Sequence, residues 1–352
     1  MKKTLLLTTA LVGALSIIGS ANAEVKVGAH VKTNYKSFER STAGAASQSG
    51  WSQERQLDFS SSGDLNNGWK YAAGFSLEQD AASNTETDTT TAAQGAYIDG
   101  SENTYVDFIK GNTTITVGND HILNGDYGIV PRVGEPMSDE ISGLKPNGTN
   151  SLAYAQNLGT IKESMGLGVV QKMDIGTVAF NYAPHAGQKA ATGDTTVGDS
   201  TALGGYEIMF AGGFGISGLN TAINYSSVAK DSTQTDDATL KSFGASYTVG
   251  GVKFGAEIAK YTLATGAETN TQEMGVTFKV SDQVSMGIGQ TKTDGKSAAG
   301  VDTAEDEKIT YLQVGYNLGA VGLGLSYIDA DSVGNTANND TKGVVLKMVA
   351  KF

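Results

Sequence analysis

Apolar residues recur at every second position along most of this chain. Residues 24–39 read EVKVGAHVKTNYKSFE. Val25, Val27, Ala29, Val31, Thr33 and Tyr35 share one parity, and Lys26, Gly28, His30, Lys32, Asn34 and Lys36 share the other. A strand sends these two sets to opposite faces, whereas a helix would scatter the lysines all round. Segment 68–79 sets Trp69, Tyr71, Phe75 and Leu77 against Lys70, Ser76 and Glu78. Segment 251–263 sets Val252, Phe254, Ala256 and Ile258 against Lys253 and Glu257, and segment 270–280 sets Met274, Val276 and Phe278 against Glu273 and Lys279. The last segment, 341–352, sets Val344, Leu346, Met348, Ala350 and Phe352 against Lys347 and Lys351.

The connections alternate too. Tight ones such as Val249-Gly250-Gly251 and Val280-Ser281-Asp282 are interleaved with long polar ones at 80–93, 184–201, 229–237, 292–306 and 331–340. Short turns at one end and long loops at the other describe a transmembrane antiparallel β-barrel of the outer-membrane kind, an all-β fold. They exclude a βαβ arrangement, which needs helical segments between strands. Counting forward gives strands at 24–39, 51–62, 68–79, 94–110 and 113–119. Counting back from Phe352 gives 341–352, 320–330, 307–317, 283–292, 270–280, 251–263, 238–249, 216–228, 202–212, 174–183 and 163–172. The total is sixteen. NSLAYAQN (150–157) also looks like a strand. Adding it would give seventeen, and single-chain bacterial barrels have even counts, so it is assigned to the long loop 120–162; the alternative makes it strand six. That loop holds Pro131, Pro136 and Pro146, three of the chain's four prolines, and is too long for an ordinary turn. It reads as a structured loop folded inward.

The N-terminus adds an address. Lys2 and Lys3 precede an apolar stretch from Leu5 to Ile18, and Ala21-Asn22-Ala23 fits a small-x-small cleavage site. Residues 1–23 are therefore expected to be a cleaved signal peptide, and 24–352 a single barrel domain. The stretch is short for a membrane-spanning helix, which needs ~20 apolar residues.

Composition then excludes chemistry. With no Cys and three His, the chain offers little for a zinc site, a disulfide framework or a thiol nucleophile. The formal charge of −12, which becomes −14 once Lys2 and Lys3 are removed, argues against nucleic acid as a partner. An apolar fraction of 39% is low for a chain of this length and fits a barrel with a wet, polar interior. Gly213-Phe214-Gly215-Ile216-Ser217-Gly218 matches the dinucleotide fingerprint, but an alternating strand follows where a helix should open, so it reads as a turn. Asp329, Asp331, Gly334 and Asp340 echo a calcium loop without its bidentate Glu and read as an acidic external loop, with divalent-cation binding there left open. His121 and His185 have no zinc-ligand partner spacing. Trp51 and Tyr35 fit an interfacial aromatic girdle.

The chain resembles the Gram-negative general porin family, especially its alphaproteobacterial members. The resemblance rests on Glu24-Val25-Lys26-Val27-Gly28, on TYVDFIKGNTTITVGND (104–120) leading into the long loop, on VVQKMDIGTVAFNYAP (169–184) leaving it, and on the aromatic terminus. It implies a homotrimer of sixteen-stranded barrels, exported through the Sec pathway and placed in the outer membrane by the barrel-assembly machinery. Phe352 would be the assembly signal there, and outer-membrane lipid and lipopolysaccharide the surroundings. It further implies a third loop, 120–162, that narrows the lumen. Candidate constriction charges on it are Asp120, Asp126, Arg132, Glu135, Asp139 and Glu140, with Lys145 as a further basic residue. Facing them, Lys26, His30, Lys32, Lys36, Lys70 and Lys347 have inward parity and are candidates for a basic wall. The family often carries arginines on its second strand, whereas Arg55 here shares parity with Leu57 and Phe59, on the lipid side unless a bulge or a position above the bilayer intervenes. The expected function is passive diffusion of small hydrophilic solutes and ions, with no cofactor and no bond made or broken. A substrate-selective channel and a plugged structural or adhesive barrel are the alternatives; an enzyme would need a constellation of nucleophile and base that no spacing provides.

Overall fold

Alternation requires each strand to have two unlike faces, and the fold decides which of them faces the membrane. The computed structural model describes residues 24–41, 48–83, 99–119, 129–133, 164–184, 204–230, 235–303 and 305–352. Sixteen strands follow one another: β1 (Glu24–Arg40), β2 (Gln48–Asp64), β3 (Lys70–Ser83), β4 (Asp99–Lys110), β5 (Thr113–Gly118), β6 (Gly166–Met173), β7 (Gly176–Ala183), β8 (Gly205–Gly212), β9 (Leu219–Val228), β10 (Ala238–Val249), β11 (Val252–Thr262), β12 (Glu268–Lys279), β13 (Val284–Lys296), β14 (Glu307–Asn317), β15 (Val321–Asp331) and β16 (Thr341–Lys351). Each pairs antiparallel with its sequence neighbours, and β1 also pairs with β16, closing the barrel. Closure leaves no sheet edge with unpaired backbone groups, which a bilayer could not satisfy.

The faces are inverted relative to a water-soluble protein. Asn181, Glu207, Thr291, Gln313 and Ser326 point inward and are buried, while Ile258, Met274, Ile288, Leu312 and Leu325 point outward and are exposed. Outward aromatics form two bands. Tyr35 and Trp51 (ring centroids 5.0 Å apart) and Tyr206 and Tyr225 (5.9 Å) mark the long-loop end. Phe210 with Phe214 (4.9 Å) and Tyr247 with Phe254 (5.9 Å) mark the short-turn end. Two girdles around an apolar band are the signature of a membrane barrel, with the long loops outside the cell.

The sixteen strands are those expected from alternation, with shifted ends: β2 runs past 51–62 in both directions, and β4 starts at Asp99 rather than 94. Residues 150–157 lie outside the described residues. The ring closes without them, because β5 pairs directly with β6. Residues 213–218 form a turn between β8 and β9, with Phe214, Gly215 and Gly218 at positive φ; the Gly218 value, 82°, is open to glycine at little cost. The β1–β2 register is unbroken at Arg55, so Arg55 stands on the outer face, where its Nε donates to Gln53 Oε1 at 2.7 Å. The register shifts on this side of the barrel fall two pairs later, between β3 and β4.

Candidate functional site

The lumen has two unlike walls. On β10–β13 the inward positions include Gly244, Gly255, Gly275 and Gly287, and Gly255, Gly275 and Gly289 stand directly opposite one another across three strands. A wall without Cβ atoms lets another backbone approach closely. Residues 129–133 of the long β5–β6 connection occupy that space. A Cβ on Gly255 would overlap the Ile129 carbonyl; one on Gly244 would lie 2.6 Å from Ile129 Cγ2, and one on Gly275 3.0 Å from the Pro131 oxygen. Ile129 is buried, as is Pro131.

Polar contacts fix the same segment. Arg132 forms an ion pair with Glu273 of β12, and both side chains are nearly covered. Val133 N donates to Gln313 Oε1 of β14 at 3.1 Å. Tyr311 Oη donates to Glu273 Oε1 at 3.2 Å, and the Arg132 guanidinium lies 5.9 Å from the Tyr311 ring centre. Breaking one partner of a covered pair would leave the other charge uncompensated.

The other wall projects side chains. On β1 and β2, His30 Nε2 lies 2.9 Å and Lys32 Nζ 2.6 Å from Glu54 Oε1. Ser76 Oγ donates to Asp58 Oδ1 at 2.7 Å. On β4 and β5, Thr116 Oγ1 donates to Asp107 Oδ1 at 2.6 Å. Round the ring through β16, β11 stands six strands from β1, so the glycine wall and the charged wall face each other across the lumen.

The expected basic wall is thus only partly brought together. Lys26, His30, Lys32, Lys36 and Lys347 all point inward, on β1 and its neighbour β16, with Asn34 opposite Lys347. Lys70 departs from the group: it begins β3 at the short-turn rim, largely exposed, 3.8 Å from Asp64. The wall is also less basic than its lysines suggest, because Glu54 and Asp58 share it. Among the constriction charges, Arg132 is on the lumen wall as described, and its partner is a wall carboxylate. Asp120, Asp126, Glu135, Asp139, Glu140 and Lys145 lie outside the described residues, as do Ala21, Ala23, His121 and His185. Phe352 stands at the short-turn rim, 79% exposed, and its backbone pairs with Ala29 through N–H···O distances of 2.8 and 3.3 Å.

Sequence reasoning missed Glu54, Tyr311, Gln313 and the glycine row. Parity was an available signal for Glu54, opposite in face to Arg55, Leu57 and Phe59, and for Gly255 and Gly275, which share the faces of Lys253 and Glu273; on the strands of Tyr311, Gln313 and Gly289 no face is assigned from sequence. The calcium-like loop is folded around other contacts, since Asp340 Oδ1 accepts from Ser332 N at 3.0 Å and Asp329 pairs with Lys342 at 3.2 Å. Among the described residues no group of three or more His, Cys, Asp or Glu is placed to hold a metal ion.

Comparison with known proteins agrees with this architecture. A family model described as Gram-negative porin matches residues 8–303. OmpF of Salmonella typhi is similar in fold, with a TM-score of 0.64 at 13% identity over 94% of this chain and 98% of its own. So is an anion-selective porin from Comamonas acidovorans, at 0.61 and 16% identity over 94% and 100%. OmpT of Vibrio cholerae in its trimer form gives 0.61 and 13% over 94% and 100%. At these identities the likeness speaks for the fold. No curated protein matches the chain.

Proposed function

The chain belongs to the Gram-negative porin family and is an outer-membrane porin channel, and from that premise we propose that it passes small hydrophilic solutes and ions by passive diffusion, without catalysing a reaction. The observation that carries this reading is the seat of Ile129–Val133 on the inner wall of β10–β14. A connection that enters the lumen narrows it, and the wall it faces is lined with charge. Charged groups around a narrow passage set ion preference. In this reading Asp120, Asp126, Glu135, Asp139 and Glu140 complete the narrow point opposite Lys26, His30, Lys32, Lys36 and Lys347. Residues 1–23 direct Sec export and are removed, leaving 24–352 as the barrel. The exposed Phe352 ring is available to the assembly machinery, and the working form is a homotrimer in a lipopolysaccharide-bearing membrane, as the trimeric structure of the Vibrio cholerae relative suggests.

Planar-bilayer recording with reversal potentials in a salt gradient tests the proposal. Conductance that rises linearly with salt supports free diffusion. Conductance that saturates with one solute would replace it with a substrate-selective channel, and a trimer that never conducts would replace it with a structural barrel.

A further inference from the structure

The mouth of the lumen holds a second inward-turned segment. Between β15 and β16, residues 332–340 form a short 3-10 turn, Val333–Asn335, whose Val333 is buried. Val333 packs with Phe38, Ile309, Ile328, Val345 and Tyr311 in one apolar cluster. The strand residues of the cluster have inward parity on β1, β14, β15 and β16, so the cluster lies inside the barrel, and Val333 joins it from the β15–β16 connection. The segment is also held by polar contacts: Gly334 N donates to Glu307 Oε2 at 2.6 Å, and Asn335 Nδ2 donates to the Thr293 carbonyl at 2.8 Å.

Tyr311 belongs to both inward segments. It shares an apolar cluster with Val333, and its hydroxyl donates to the carboxylate that pairs with Arg132. The space for this comes from Gly289, directly opposite on β13, where any Cβ would overlap the Tyr311 ring.

We propose that Tyr311 is a positioning residue of the constriction: it couples the seating of the external loop 332–340 to the seating of segment 129–133, so that whatever displaces the loop alters the narrow point. This rests on the reading of 129–133 as part of the constriction. The coupling is local and has named parts: Val333 in the apolar cluster that includes the Tyr311 ring, the Tyr311 hydroxyl on Glu273, and Glu273 on Arg132. Energetic coupling of this kind is measured by a double-mutant cycle.

The chain has no cysteine, so Val130→Cys alone reports whether segment 129–133 is covered. In assembled full-length barrels, the rate of its modification by a small charged thiol reagent is compared with and without Val333→Ala and Tyr311→Phe. Val333→Ala should raise the rate several-fold although it touches nothing in the segment. Tyr311→Phe, which keeps the ring and removes the hydroxyl, should also raise it, and adding Val333→Ala to Tyr311→Phe should raise it little further. An unchanged rate in Val333→Ala, or effects that simply multiply in the double variant, would overturn the coupling. The same variants recorded in bilayers should show matching non-additive shifts in reversal potential. A wild-type barrel that does not conduct would sink the diffusion reading but leave the labelling result to decide the coupling.

Discussion

The wall of β10–β13 and the wall of β1–β2 solve opposite problems with the same strand geometry. The first gives up side chains. Gly244, Gly255, Gly275 and Gly287 leave the inner surface low enough for backbone to lie on it, and Ile129 and Pro131 do so. The second keeps long side chains and ties them to one another, with Lys32 and His30 both on Glu54. A sixteen-stranded barrel encloses more space than side chains alone can narrow. One wall therefore accommodates a chain segment, while the other presents charge to it. In the proposed channel the segment on the glycine side narrows the passage, and ion preference comes from the charged wall together with the loop carboxylates.

Gly255→Val attacks that division most directly and should have the largest effect. The new side chain must occupy the place of the Ile129 carbonyl. Overpacking of this kind costs about 1–3 kcal/mol where the surroundings yield, and here the part able to yield is the loop, because the wall is held by the β11–β12 ladder. Assembled trimer should still form, with a several-fold larger single-channel conductance and weaker exclusion of large solutes. Native conductance in a correctly assembled Gly255→Val barrel would mean that 129–133 does not govern pore size.

The two walls were unequally legible in the sequence. Strand order followed from period-two alternation, because one face meets lipid and the other water, and strand number from alternation together with the even count of single-chain barrels. The inward parity of Lys26, His30, Lys32 and Lys36 followed from the same rule. Glu54 has equally readable parity, but its meeting with Lys32 depends on the β1–β2 register, which pairs those two residues directly. The glycine row was further out of reach. Gly255, Gly275 and Gly289 sit on three strands, and only the ladder aligns them. Tyr311 ran against expectation, because an aromatic in a barrel strand usually marks the lipid interface, and here it lies in the lumen above a glycine. Lys70 shows the limit of parity: the alternation gave its face, while its height, at the rim, came from the fold.

Charge substitutions sharpen the comparison from both sides. Replacing Asp139 and Glu140 together with Asn and Gln should move the reversal potential towards anions; no movement would remove both from the constriction. Glu54→Gln removes one carboxylate from the opposite wall and releases Lys32 and His30 from it, so it should shift the potential in the same direction by a smaller amount. If Glu54→Gln leaves ion preference unaltered while the loop pair changes it, the charged wall is only a wet lining. Conductance should stay near native in both, because neither change touches the glycine wall.

Phe352 belongs to neither wall, and that makes it the control. Its ring is turned out to the membrane side of the rim, while its backbone pairs with Ala29 at the β1–β16 seam. Phe352→Ala removes the ring and keeps that pairing; deleting the residue removes both. If the ring is the assembly signal, both variants should lower the yield of assembled trimer to a similar degree without impairing secretion. The fraction that does assemble should then conduct like the native barrel, because no lumen contact has changed. A deletion that lowers yield while Phe352→Ala does not would assign the effect to seam closure instead, and an altered conductance in Phe352→Ala would show that pore properties depend on more than the two walls.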